Sequence, residues 1–234
     1  MIDQEIFETY LSISKQKFGI YLLDKINLKN IYKEELYFEN NTDQIDYNLL
    51  SQFLDKHIFK IEKLNRNFLK NIFLIIENNK ILNFSIGIKR KSYSQKINKQ
   101  YLESSLTELK HLFKETYQKN KILHFSVNRY LIDGVDHSSF DQEIDGDHIC
   151  VEANFISIPG LLIKEISAVL AKHQIKIDRF FDKKYIQNLF QEKTLDLSVC
   201  AFKLRSGQIQ NEVHFISKTV KKKGFFEKFF QLFS

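Results

Sequence analysis

The chain has 234 residues, a formal net charge of +6 and 43% hydrophobic residues, with 22 Phe and 10 Tyr. That much apolar area supports a packed core and excludes a disordered chain, and the length suggests about one or two domains. The basic balance favours anionic partners, and no apolar stretch approaches the roughly 20 residues that a spanning helix needs.

Met1 to Tyr10 carries Asp3, Glu5 and Glu8 and lacks the basic and apolar regions of a signal peptide. Phe18 to Leu23 reads as a buried strand, and Leu28 to Phe38 as one or two more. Leu50, Phe53, Leu54, Ile58, Ile61 and Leu64 recur at helical spacing, predicting a helix over Tyr47 to Leu64 capped by Asp46 or Asp43. Ile72 to Ile76 is a solid apolar run of the kind found in central strands. Ile81 to Ile88 alternates as a half-exposed strand, and Asn98 to Tyr117 is a long amphipathic helix.

Ile122 to Ile132 is a further strand, followed by an acidic loop from Asp133 to Asp147. Ile149 to Ile158 alternates again until Pro159 and Gly160 break it. Leu161 to His173 reads as a helix, Ile175 to Phe181 as a strand and Tyr185 to Phe190 as a short helix. Leu195 to Leu204 and Gln208 to Ser217 read as a hairpin around Ser206-Gly207. Strands and helices alternate throughout, the pattern of an α/β or α+β fold. Cys150 and Cys200, each inside an apolar strand-like run, read as small buried hydrophobes without a disulfide framework, which suits a reducing cytoplasm.

The C-terminal segment is the most informative. Phe225, Phe226, Phe229, Phe230, Leu232 and Phe233 fall within an arc of roughly 160° on a helical wheel. Glu227, Lys228 and Gln231 fill the opposite side, and Lys221, Lys222 and Lys223 lie just upstream. A helix of this length, about 16 Å, is too short to span a bilayer but can lie in its interface. Each lysine near an anionic leaflet adds about 1 kcal/mol, and clustering strengthens such reversible contacts. The same pattern also suits a helix docked on its own core or in a partner's groove.

Enzymatic chemistry finds little support. Asp141, Glu143, Asp145, Gly146 and Glu152 nearly match a calcium loop, but strands flank them where helices are required. His124, His137 and His148 lack metal-ligand spacing, and His124 reads as a hydrogen-bonded core residue. No G-x-S-x-G turn occurs, and the seven glycines are too scattered for a phosphate-cradling loop. Lysines are spread along the chain and balanced by 29 acidic residues, so nucleic acid is not the expected partner.

The stretch Ile122-Leu123-His124-Phe125-Ser126-Val127-Asn128-Arg129-Tyr130-Leu131-Ile132-Asp133-Gly134 resembles the bacterial cell-division protein FtsA. The resemblance continues through Gly146, Ile149 to Ile158 and Leu161 to Phe181, where Ile177-Asp178-Arg179-Phe180-Phe181 fits well. It implies a truncated actin-like (ribonuclease H-like) lobe over residues 1–80 and 159–217, with an inserted α+β subdomain at 81–158. Residues 218–234 then form a basic tether and a C-terminal amphipathic helix. The family's first phosphate hairpin aligns with Phe18-Gly19-Ile20-Tyr21-Leu22-Leu23-Asp24, where Tyr21 stands for the acid and Leu23 for the second glycine. Of the second phosphate loop only Thr194-Leu195-Asp196-Leu197-Ser198-Val199 is left.

The resemblance therefore implies a non-enzymatic adaptor without a nucleotide cofactor. It would sit peripherally on the cytoplasmic face of the bacterial inner membrane. Its partners would be anionic lipid, further copies of itself and other cell-division proteins. The family's FtsZ-gripping subdomain belongs to the second lobe, so contact with FtsZ does not follow. An adaptor of a pilus or secretion system, a degenerate ATPase and a nucleic-acid binder remain as alternatives.

Overall fold

The computed structural model describes residues 6–39, 44–93, 96–137, 143–190, 195–208 and Val213. The chain begins with β1 (Phe7–Ile13), β2 (Lys17–Asp24) and β3 (Lys29–Tyr37), then α1 (Tyr47–Asn65) and β4 (Asn71–Ile76). Next come β5 (Leu82–Lys91), α2 (Lys99–Thr116), β6 (Asn120–Ile132), β7 (Val135–His137) and β8 (His148–Pro159). The last elements are α3 (Gly160–Ala171), β9 (Lys176–Asp182), α4 (Lys183–Leu189) and α5 (Leu197–Arg205).

The first sheet has the order β3-β2-β1-β4-β9. Its β1–β2 and β2–β3 pairs are antiparallel, whereas β1–β4 and β4–β9 are parallel. Side chains alternate across it with period two. Leu11, Ile13, Phe18, Ile20, Leu74 and Ile76 face α1 and α3. Tyr10, Tyr21, Leu23, Ile75 and Phe181 face α4 and α5. Covered on both faces, Ile72 to Ile76 can be a continuous apolar run.

Asp46 starts α1 by accepting the Leu49 N–H, and Leu50, Phe53, Leu54, Ile58 and Ile61 line its buried stripe. Arg66 ends it in the left-handed region at φ 54°. Gly160 opens α3 where its N–H meets the Lys119 carbonyl at 2.7 Å. A side chain at that position would lie 3.0 Å from the same oxygen, so this close approach calls for glycine.

The second sheet runs β5-β8-β6-β7, with α2 on one face. Phe155 stacks on Phe125 and Phe113 with centroids 4.5 and 5.0 Å apart, and these rings anchor a separate core. Strands β6 and β8 also reach the first core, because Leu123, Ile156 and Ile158 pack there.

Several sequence expectations need correction. The segment expected as the first strand of a C-terminal hairpin is α5. Leu197, Cys200, Ala201 and Leu204 fit a helix as well as Leu195, Leu197 and Val199 fit a strand, and docking on Tyr10 and Tyr21 decides for the helix. Gly207, at φ 80°, follows the helix end instead of turning a hairpin. Most of the second expected strand, and all of 218–234, lie outside the described residues. Strand β1 and the short β7 inside the acidic loop were not anticipated. Cys200 is buried on α5, not in a strand, and Cys150 on β8 is only partly buried.

Candidate functional site

Parallel α/β sheets offer binding crevices at the carboxyl ends of their strands. Here the ends of β1, β4 and β9 border a cavity of about 230 Å3, lined by Ser14, Lys15, Gln16, Glu77, Asn78, Asn79 and Lys184. Several of its polar groups are engaged within the fold. The Ser14 hydroxyl donates to the Lys17 carbonyl at 3.1 Å and accepts the Gln16 N–H at 3.4 Å. Glu77 forms an ion pair with Lys183 at 2.6 Å. Asn78 Oδ1 accepts the Lys80 N–H at 2.9 Å. None of these connections contains a glycine, so they lack the closely spaced residues from which backbone N–H groups build a phosphate nest.

The alignment of Phe18 to Asp24 with the family's first phosphate hairpin is corrected by the register. Those residues are one continuous strand, and the hairpin turn lies at 14–16. Tyr21 and Leu23 point into the core under α5, away from the crevice. The Tyr21 hydroxyl donates to Glu35 at 2.6 Å. Gly19 makes room for that ring, since a Cβ there would lie 2.5 Å from the Tyr21 oxygen. Asp196, from the remnant aligned with the second phosphate loop, accepts from Asn30 at 2.9 Å and Lys33 at 2.6 Å and precedes α5.

A second feature lies where the two sheets meet. A groove of about 380 Å3 is lined by Lys110, Phe113 and Lys114 of α2, Asn120 to Leu123 and Phe125 of β6, Arg179 of β9, and Val213. Strand β6 pairs with β8 along its length, but with β7 only from Tyr130 to Ile132. Among the described residues, the one backbone contact on the open side of the earlier part is the Val213 N–H, 2.7 Å from the Phe125 carbonyl. Lys110, Lys114, Lys121 and Arg179 reach the groove from three elements, and among the described residues none that lines it is acidic. Burial pushes the Lys121 amine below its ordinary value, and its Nζ lies 4.2 Å from the Phe180 ring centroid. An open strand edge with apolar floor and cationic walls can take an extended acidic or apolar segment by strand addition.

Neighbouring features reinforce the junction. His124 is buried, and its Nε2 accepts the Asp182 N–H at 2.9 Å, fixing the proton on Nδ1 in the neutral ring. The Asp182 carboxylate accepts the Tyr185 N–H at 2.8 Å, capping α4. Burial raises its carboxyl above the usual range, and the Tyr185 N–H, His124 and Lys184 only partly oppose that.

The three histidines are not brought together. His148 lies 3.7 Å from Asp133, His137 pairs with Tyr130 across the β6–β7 ladder, and His124 is at the junction. Glu152 takes a bidentate pair of hydrogen bonds from Arg129, both 2.8 Å long. No group of three His, Cys, Asp or Glu side chains forms a metal cluster among the described residues. Asp141 lies outside the described residues, as do the membrane-binding candidates Lys221 to Lys223, Phe225, Phe226, Phe229, Phe230, Leu232 and Phe233. Among the described residues, no helix is long and apolar enough to cross a membrane.

Neither a protein-family profile nor a curated protein sequence matches the chain. Solved structures do. A chain of the PilM–PilN type IV pilus biogenesis complex aligns at 9% identity with a TM-score of 0.51, over 79% of this chain and 50% of that one. The cytoplasmic domain of EpsL, an inner-membrane component of the type II secretion system of Vibrio cholerae, aligns at 8% identity and TM-score 0.41, over 77% of this chain and 58% of that one. A Bacteroides thetaiotaomicron protein with an actin-like ATPase fold aligns at 11% identity and TM-score 0.36, over 81% of this chain and 58% of that one.

The fold is thus an α/β fold with a mixed sheet in the order β3-β2-β1-β4-β9, similar to that of the pilus-complex chain. The chain spans about half the length of the pilus-complex chain that it matches.

Proposed function

We propose that this protein is a non-catalytic, actin-fold scaffold of a bacterial surface-assembly machine of the pilus or secretion kind, holding a partner segment in the groove at the β6 edge. The observation that carries this reading is the edge of β6 before Tyr130, which among the described residues meets only the Val213 N–H and is flanked by four cations and no acid. Backbone hydrogen bonds give such a site affinity, and the cationic walls select acidic segments. The fold likeness to a chain of a pilus biogenesis complex supports the class of machine. The strand-end crevice has its serine and glutamate engaged internally and no glycine in its connections, which argues against a nucleotide reaction there. In this reading the Phe225 to Phe233 helix and Lys221 to Lys223 hold the scaffold on anionic lipid.

The test is a photo-crosslinking residue at Lys121 in the full chain, in living cells. A crosslinked peptide from an inner-membrane pilus or secretion protein supports the proposal. Capture of a division protein moves the assignment to an adaptor of the FtsA type, which the Ile122 to Gly134 and Ile177 to Phe181 stretches favour. Tight Mg-ATP binding by calorimetry would sink the non-catalytic reading.

A further inference from the structure

Helix α1 turns an aromatic and cationic face to solvent. At about 100° per residue, Phe59 lies nearly opposite the centre of the stripe formed by Leu50, Leu54 and Ile61. It is 72% exposed, and Phe68, just past the helix end, is 77% exposed. Single exposed apolar residues are ordinary on soluble proteins, but here two exposed rings are carried by one helix and the turn tied back to it. The Glu62 carboxylate accepts the Leu69 N–H at 3.0 Å, which draws the turn carrying Phe68 back to the helix one turn beyond Phe59. Arg66 makes that reversal possible with its left-handed backbone.

Charge on this face is predominantly positive. Lys56, Lys60, Lys63 and Arg66 are all exposed, and none has an ion-pair partner among the described residues. Two acids lie nearby, Asp55 with a side chain 65% exposed and Glu62 partly buried. Asp55 lies 3.7 Å from His173, and Glu62 holds the Leu69 N–H.

We propose that this face rests on an anionic phospholipid bilayer, with Phe59 and Phe68 entering the headgroup–acyl boundary and the four cations meeting lipid phosphates. Aromatic rings beside lysines favour such interfaces, and each cation near the surface contributes to binding. Single-stranded nucleic acid uses similar residues but follows a groove, whereas the outer side of a helix is convex and matches a plane. The inference deepens the membrane-scaffold reading, on which it rests: the tail tethers the body, and α1 sets which way the body faces.

The experiment uses the full chain and vesicles with or without phosphatidylglycerol. One variant pairs Phe59→Ser with Phe68→Ser, and a second pairs Phe225→Ser with Phe229→Ser. Because the chain has no Trp, Phe59→Trp adds a single fluorescent reporter. The expected result is about a tenfold loss of vesicle partition for the α1 pair, with no change in thermal midpoint, and a blue shift of the Phe59→Trp emission on anionic vesicles alone. If the α1 pair floats like the parent and the Phe59→Trp emission stays put, the inference falls, even where the tail pair abolishes flotation and so upholds the tether. If the tail pair floats normally and the α1 pair does not, the tether falls and the α1 face stands. Retention of single-stranded DNA that depends on Phe59 and Phe68, without any vesicle effect, also overturns the inference.

Discussion

Replacing His124 by leucine removes a hydrogen bond that joins the two sheets. The imidazole projects from β6 and accepts the Asp182 N–H at the β9–α4 corner, 2.9 Å away. Leucine keeps apolar bulk there but offers no acceptor. Leaving that buried N–H unpaired costs about 1–3 kcal/mol. Losing the ring contact with Tyr185, whose centroid is 4.2 Å distant, adds about 0.5–1.5 kcal/mol. The sum, about 1.5–4.5 kcal/mol, corresponds to a fall of roughly 3–18 °C in thermal midpoint for a chain of this size. Urea and thermal unfolding measure it, with His124→Gln as the comparison because its amide oxygen reaches a similar place. A leucine variant within about 1 °C of the parent, or a glutamine variant no better than leucine, would refute the reasoning. Since β6 also lines the groove, His124→Leu is further expected to weaken crosslinking at Lys121.

Acid sensitivity is expected to involve Glu35. Burial pushes its carboxyl up, but hydrogen bonds from Lys17, Tyr21 and Tyr37 outweigh that and hold it at about 2. A depressed folded value means stability that is present above the ordinary glutamate value of 4.5 and lost as pH falls towards 2. Glu35→Gln therefore flattens the loss of stability in that window, by about 1 kcal/mol after solvent screening. Asp182 has the opposite sign: its raised value penalises the ionised form, so its favourable contribution fades as pH rises through the folded value. Asp182→Asn keeps an acceptor for the Tyr185 N–H and is expected to melt at or above the parent at pH 7, whereas Asp182→Ala loses a helix cap worth about 1 kcal/mol. Arg205 stacks over Phe73 at 5.0 Å and pairs with the largely buried Glu8, which also contacts Lys25 and Tyr10. Its replacement by alanine is expected to cost about 2–3 kcal/mol and to raise hydrogen exchange in α5 before the rest of the lobe.

Residue patterning alone located α1, α2, α3 and the strands from β4 to β9 other than β7, by apolar periods or, for β4, by a continuous apolar run. It also singled out His124 as a bonded interior residue. Short segments were less legible. Leu195 to Leu204 carries both periods at once, and only the face formed by Tyr10 and Tyr21 selects the helix. Strand β1 was hidden because Thr9, Tyr10 and Ser12 interrupt its apolar run, although all three are buried between β2 and β4. Register, likewise, moved the first hairpin turn from the alignment at Phe18 to Asp24 back to 14–16.

The sequence by itself determined the alternation of strands and helices, the aromatic core, and the Phe-rich segment from which a membrane role is argued. Those properties are local, written in the order of apolar and polar residues. Only the tertiary structure decided that, among the described residues, β6 before Tyr130 meets just the Val213 N–H on its free side, that Lys110, Lys114, Lys121 and Arg179 converge beside it, and that Glu62 ties the turn after Phe68 back to α1. These depend on which distant segments pair and which do not, and pairing is a property of the folded chain that no single stretch of residues carries.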